Sequence, residues 1–145
     1  MDRAQRNALA RRFAAAAGET ADGAQPLSVD GIRAIAGAEF EIGFHTLGHD
    51  YLPTLDTDAL ADALQRGRDR LEQLAGRPLQ LIAYPHGGAD DRVASAARAA
   101  GYKVGFTTAA TVVRPDGDDL LVGRIECSYR SATELAERLC VALRG

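Results

Sequence analysis

The chain of 145 residues has two cysteines, three histidines, a single lysine (Lys103) and no long apolar run. Each shortage excludes something. Cys127 and Cys140 fall in no metal knuckle or redox pair, so they read as small buried hydrophobes of a reducing compartment. No segment approaches the roughly 18 consecutive apolar residues that a membrane-spanning helix needs. The opening "MDRAQRNALARRFAAAAGE" is charged at both ends and lacks the continuous apolar centre of a signal peptide. As written, the chain is expected in the cytoplasm. Arginine supplies nearly all the positive charge, and the net charge of -3 with no long basic run gives no reason to expect nucleic acid or a membrane surface as partner. No internal repeat occurs, and no low-complexity tract beyond the alanines.

What is present is ordinary for a globular domain: 46% hydrophobic and 26% charged residues. A chain of this length buries about two-thirds of its unfolded surface as one domain. Residues 3–17 have helical period, with Leu9, Phe13 and Ala16 on one stripe, and 18–26 read as loop. Ser28 is placed to cap a short helix through Ile35, which Gly37 would end. Residues 40–44 alternate as a strand leading into His45. Leu60, Leu64, Gly67, Leu71 and Leu74 predict one long helix from about Asp58 to Ala75, stopped by Gly76 and Pro78. Strands are expected at 79–84, 102–108 and 120–127, with a helix between the first two that Asp90 could cap. Ser131 and Glu134 form a capping box for a last helix with Leu135, Leu139 and Leu143 inward.

Alternating strands and helices imply right-handed βαβ units, a parallel sheet, and chemistry at the loops beyond the strands' carboxyl ends. Two such loops carry all three histidines. "FHTLGHD" places His45 and His49 four apart, a spacing at which two imidazoles can reach one ion and which also arises by chance. "AYPHGGADD" has an irregular backbone at Pro85, Gly87 and Gly88, whose amides could stabilise a developing oxyanion or form only a tight turn.

Together, "FEIGFHTLGHDYLPTLD" and "LIAYPHGGADDRVASAARAAGYKVGFTT" resemble the polysaccharide deacetylases of the carbohydrate esterase family 4 type. His45, Thr46 and His49 match the family's H-[ST]-x-x-H motif, "AYPHG" its later proline- and tyrosine-bearing loop, and "GRIEC" its closing strand. The similarity covers roughly Leu27 to the C-terminus, so 1–26 are set apart as an N-terminal helix and loop and 27–145 as the deacetylase-like domain.

The resemblance implies an α/β fold, a distorted (β/α) barrel, that deacetylates N- or O-acetylated sugars with a divalent metal, often zinc. It implies His45 and His49 as metal ligands, the Tyr84 backbone N–H as an oxyanion contact, and Thr46 as an orienting residue. The family's T-F-D-D-G motif, source of its base and its aspartate ligand, has no match in residues 1–44, and its late leucine-x-histidine motif is also missing. His86 could take an acid role. Asp50, adjacent to His49, is poorly placed to add a third ligand, since neighbouring residues on a turn face different ways.

The expectation is therefore a partial barrel lacking its first strands, with weak or no activity. Three explanations stand: strands encoded upstream of Met1, a short protein turned to noncatalytic binding of a glycan or a partner, or a carboxylate supplied by another chain. The first is favoured.

Overall fold

The computed structural model describes residues 27–38, 40–125 and 131–144. The helix and loop expected before residue 27 lie outside them, as does Cys127. Helix α1 spans Val29–Gly37, and its Ser28 cap accepts from the Gly31 N–H at 3.0 Å as anticipated. Helices α2 (Thr57–Gln65) and α3 (Arg68–Ala75) replace the single helix expected there. The chain breaks at Gly67, whose φ of 86° only glycine adopts without penalty. The apolar stripe survives the break, with Leu60 and Leu64 buried and Leu71 packed against the core.

Strands β1 (Leu81–Ala83) and β2 (Val104–Phe106) pair in parallel, Ile82 opposite Gly105, and helix α4 (Asp91–Ala99) connects them. The Asp90 side chain caps α4, accepting from the Val93 N–H at 2.8 Å. The outer strands expected at 40–44 and 120–127 shrink to single parallel bridges, Phe44 to Ile82 and Phe106 to Val122. Phe44 holds its neighbour through two bonds, its N–H to the Leu81 carbonyl and its carbonyl from the Ala83 N–H. The four extended segments thus lie in chain order, an open parallel sheet with its carboxyl ends aligned on one side. The expected alternation holds only towards the strand's end, with Glu41 and Gly43 exposed and Phe44 buried, while Phe40 is exposed.

The core joins Phe44, Leu52, Leu60, Leu64, Leu79, Ile82, Tyr84, Val93, Tyr102 and Leu120. Arg68 crosses it. Its guanidinium donates to Glu72 (2.9 Å), the Ala100 carbonyl (2.5 Å) and the Leu79 carbonyl (2.8 Å), and lies 4.2 Å from the Tyr102 ring centre. These bonds tie α3 to the start of β1 and the end of α4.

Helix α5 (Ala132–Arg144) begins where expected, with the Ser131 hydroxyl accepting from the Glu134 N–H at 3.2 Å. Its leucines are not all inward, however. Leu139 and Leu143 are exposed, Leu135 is half-buried, and Ala142 is the buried residue, beside the loop at 110–114. Cys140 on this helix is likewise exposed, not buried. No helix among the described residues is long and apolar enough to cross a membrane.

Candidate functional site

The sheet's carboxyl ends deliver two loops to one place. The first leaves Phe44 and carries His45 and His49; the second leaves β1 and carries His86. The ring centres of His45 and His49 are 4.9 Å apart, and those of His49 and His86 4.6 Å. Tyr51 continues the row, its ring centre 6.3 Å from that of His86. The three histidines expected to carry chemistry are therefore brought together, all exposed to solvent.

The backbone around them is held in an uncommon conformation. Among the described residues, the non-glycine residues with positive φ are Thr46 (56°), His49 (51°) and His86 (58°). Such conformations cost on the order of 1–3 kcal/mol each and gather where function requires them. The surroundings hold each in place. The Thr46 hydroxyl accepts from the His49 N–H at 3.1 Å, closing the first loop on itself. Leu47, at its tip, packs on Gly67, where an added Cβ would lie 3.4 Å from the Leu47 Cβ. The break between α2 and α3 thus seats the histidine loop. Gly87 makes room for Thr108, against which a Cβ would collide.

His45 Nδ1 lies 2.6 Å from the Ala83 carbonyl. A carbonyl only accepts, so Nδ1 carries the proton and Nε2 keeps the lone pair that a metal or a proton would take. A backbone carbonyl fixing one imidazole nitrogen is the usual support of a ligating histidine.

Tyr84 departs from expectation. Its N–H donates to the Phe106 carbonyl at 3.0 Å, because Tyr84 still lies in register with β2 and continues the ladder. That amide is engaged in the sheet. Pro85 has none to offer, and the next, on His86, has no hydrogen bond among the described residues. The Tyr84 side chain points into the core, where its hydroxyl donates to the Leu120 carbonyl at 2.8 Å. Burial pushes that phenol up to about 12, with the Asp118 carboxylate adding to the effect. Gly105 permits the crossing, since a Cβ there would meet the Tyr84 hydroxyl and the Leu120 carbonyl.

Two imidazoles are nitrogen donors of the kind zinc takes, but a catalytic zinc site takes three protein ligands. No group of three or more histidine, cysteine, aspartate or glutamate side chains among the described residues converges on a metal position. The Asp50 carboxylate folds back over Gly48, where an added Cβ would strike it. The donor set supplies two of the three protein ligands that such a site takes. Sequence reasoning found the histidines but passed over Tyr51 and the Ala83 carbonyl; a tyrosine two residues after the second histidine was the available signal for the first, and nothing in the sequence marked the second.

Comparison with known proteins points one way. The sequence model described as Polysaccharide deacetylase matches residues 8–105, starting upstream of Leu27 and ending inside β2. The Streptococcus pyogenes deacetylase PplD, solved in complex with acetate, superposes with a TM-score of 0.69 at 22% identity, over 80% of this chain and 52% of its own. A polysaccharide deacetylase from Bacillus cereus gives 0.64 at 25% identity, over 81% and 38%. IcaB from Ammonifex degensii gives 0.59 at 26%, over 77% and 52%. The chain thus spans about half or less of the length of these solved proteins. No curated protein matches it. With the family's sequence pattern over most of its length and the family's fold, this chain belongs to the polysaccharide deacetylases.

Proposed function

We propose that the chain carries the metal-binding face of a hydrolase that removes acetyl groups from N- or O-acetylated sugars of polysaccharides, acting on carbon–nitrogen bonds other than peptide bonds where the acetyl is an amide. The carrying observation is the His45 Nδ1 contact with the Ala83 carbonyl at 2.6 Å beside the His49 ring, a ligand-like imidazole pair at the carboxyl end of a parallel sheet. His45 and His49 would hold a divalent ion, zinc by donor type. The chemistry that such an ion supplies is polarisation of the acyl oxygen and activation of water.

The remaining roles fall to the second loop. The His86 N–H is the unengaged amide that the strand end offers to a developing oxyanion, in place of that of Tyr84. The His86 imidazole, exposed and against His49, is the group able to give a proton to the departing amine as its bond to the acetyl carbon breaks.

The sequence contains no T-F-D-D-G, so the reading includes weak or no turnover by these 145 residues. The two-ligand donor set favours a second reading, a noncatalytic carbohydrate- or partner-binding remnant of the same fold. Zinc analysis and acetate release from acetylated chito-oligomers test both. Near-stoichiometric zinc that disappears in the His45→Ala, His49→Ala double variant, with little acetate released, is the expected result. Zinc retained by the double variant refutes the metal assignment. Brisk metal-dependent acetate release by the wild type refutes the inactivity. Glycan binding without zinc supports the second reading.

A further inference from the structure

Tyr51 ends the row of rings and is 46% exposed, although its neighbour Leu52 is fully buried. Its main chain is anchored, with its carbonyl accepting from the Thr54 N–H at 3.1 Å and the Thr54 hydroxyl at 2.8 Å. The ring lies over Gly88: a Cβ added there would land on it, with the Tyr51 Cζ 2.8 Å away. Gly88 has φ of -85° and ψ of 119°, a conformation open to any residue. The backbone does not require glycine at this position. The ring does.

We propose that Tyr51 is a stacking shelf for a pyranose ring of an acetylated glycan, seating a sugar unit beside the His45–His49 pair. A pyranose presents an apolar face of C–H groups along with its hydroxyls, and a rigid aromatic ring covers such a face with little loss of rotamer freedom. The shelf adjoins the histidines through His86, whose ring lies 6.3 Å from that of Tyr51 and 4.6 Å from that of His49. A sugar on Tyr51 therefore lies one residue's breadth from the proposed ligands. Beyond its contact with Gly88, the half-exposed ring leaves surface to the ligand. This inference names a subsite of the deacetylase reading and rests on it.

The test uses the full chain with zinc present and the β-1,4-linked tetramer of N-acetylglucosamine as probe, followed by NMR titration. Tyr51→Phe should bind the tetramer within about twofold of wild type, since stacking uses the ring and not the hydroxyl. Tyr51→Ala should weaken binding about tenfold or more, in line with the energies of aromatic contacts. Gly88→Ala should do the same, because its methyl group displaces the ring without straining the backbone. All three should keep the wild-type zinc stoichiometry, which shows that fold and histidine pair survive. Wild-type affinity in either Tyr51→Ala or Gly88→Ala overturns the shelf and leaves the metal reading standing. A wild type that takes zinc at His45 and His49 but binds no tetramer also overturns it. Loss of the metal reading itself would show separately, as zinc retained without the two histidines.

Discussion

Replacing Arg68 by alanine should destabilise the protein by about 3–5 kcal/mol, the usual loss when one partner of a buried ion pair is removed. The Arg68 side chain is 9% exposed and that of its partner Glu72 25%, so little water screens the pair. Alanine would strand the Leu79 and Ala100 carbonyls and remove a cation from the face of Tyr102, while Glu72 would keep only the Leu79 N–H at 2.9 Å. Each buried acceptor left without a donor costs about 1–3 kcal/mol, so the lost bonds alone account for the total. Against a domain stability of about 5–15 kcal/mol, such a loss is severe. Arg68→Lys keeps the charge but cannot reach three acceptors with a planar fork, so its loss should be smaller. Urea unfolding followed by far-ultraviolet circular dichroism measures both. An Arg68→Ala variant within about 1 kcal/mol of wild type would refute the reasoning, since it would mean that α3, β1 and α4 hold together without this bridge.

His86→Gly should raise stability by up to about 1 kcal/mol in the same assay, by relieving the left-handed backbone at φ of 58°, while removing any acid function of the imidazole. His45→Ala alone should lower zinc affinity by more than the 10–100-fold typical of losing a supporting partner, measured by competition with a chromophoric chelator. Stability should fall as pH rises from about 10 towards 12. Tyr84 is raised above its ordinary value in the folded state, so its contribution is complete below the unfolded value and is lost on ionisation, at up to about 1.4 kcal/mol per pH unit. Ultraviolet absorbance of tyrosinate should rise together with the loss of circular dichroism. In acid the sign reverses. The Leu120 N–H and the Arg98 guanidinium hold Asp118 below the usual carboxylate value, so its contribution is present above the unfolded value and fades as pH falls through the folded one, an effect that Asp118→Asn should abolish.

Much of the fold was legible because it follows from local rules. The Ser28, Asp90 and Ser131 caps, the strand at β1 and the order of the four extended segments come from residue type and period, which neighbours in sequence settle between themselves. The errors arose where partners distant in sequence decide. Gly67 reads as a small residue on a helical stripe, but in the fold it takes φ of 86° with Leu47 against it, and the helix breaks there. The leucines of α5 have the right spacing for burial, yet burial depends on an opposing surface that spacing does not supply. The Tyr84 amide reads as the start of an irregular loop, but the register with Phe106 keeps it in the sheet.

The site divides in the same way. By itself, the sequence determined which side chains stand where: His45 and His49 four residues apart, and His86 in a proline- and glycine-bounded loop. Those are statements of composition and order, and folding does not alter them. Only the tertiary structure decided that the His86 ring lies against His49, that the Ala83 carbonyl sets the proton on His45, and that Tyr51 rests on Gly88 at the end of the row. Each of these pairs joins two segments separated by tens of residues. Which atoms meet across such a gap depends on strand register and loop seating, and these are properties of the whole packed chain.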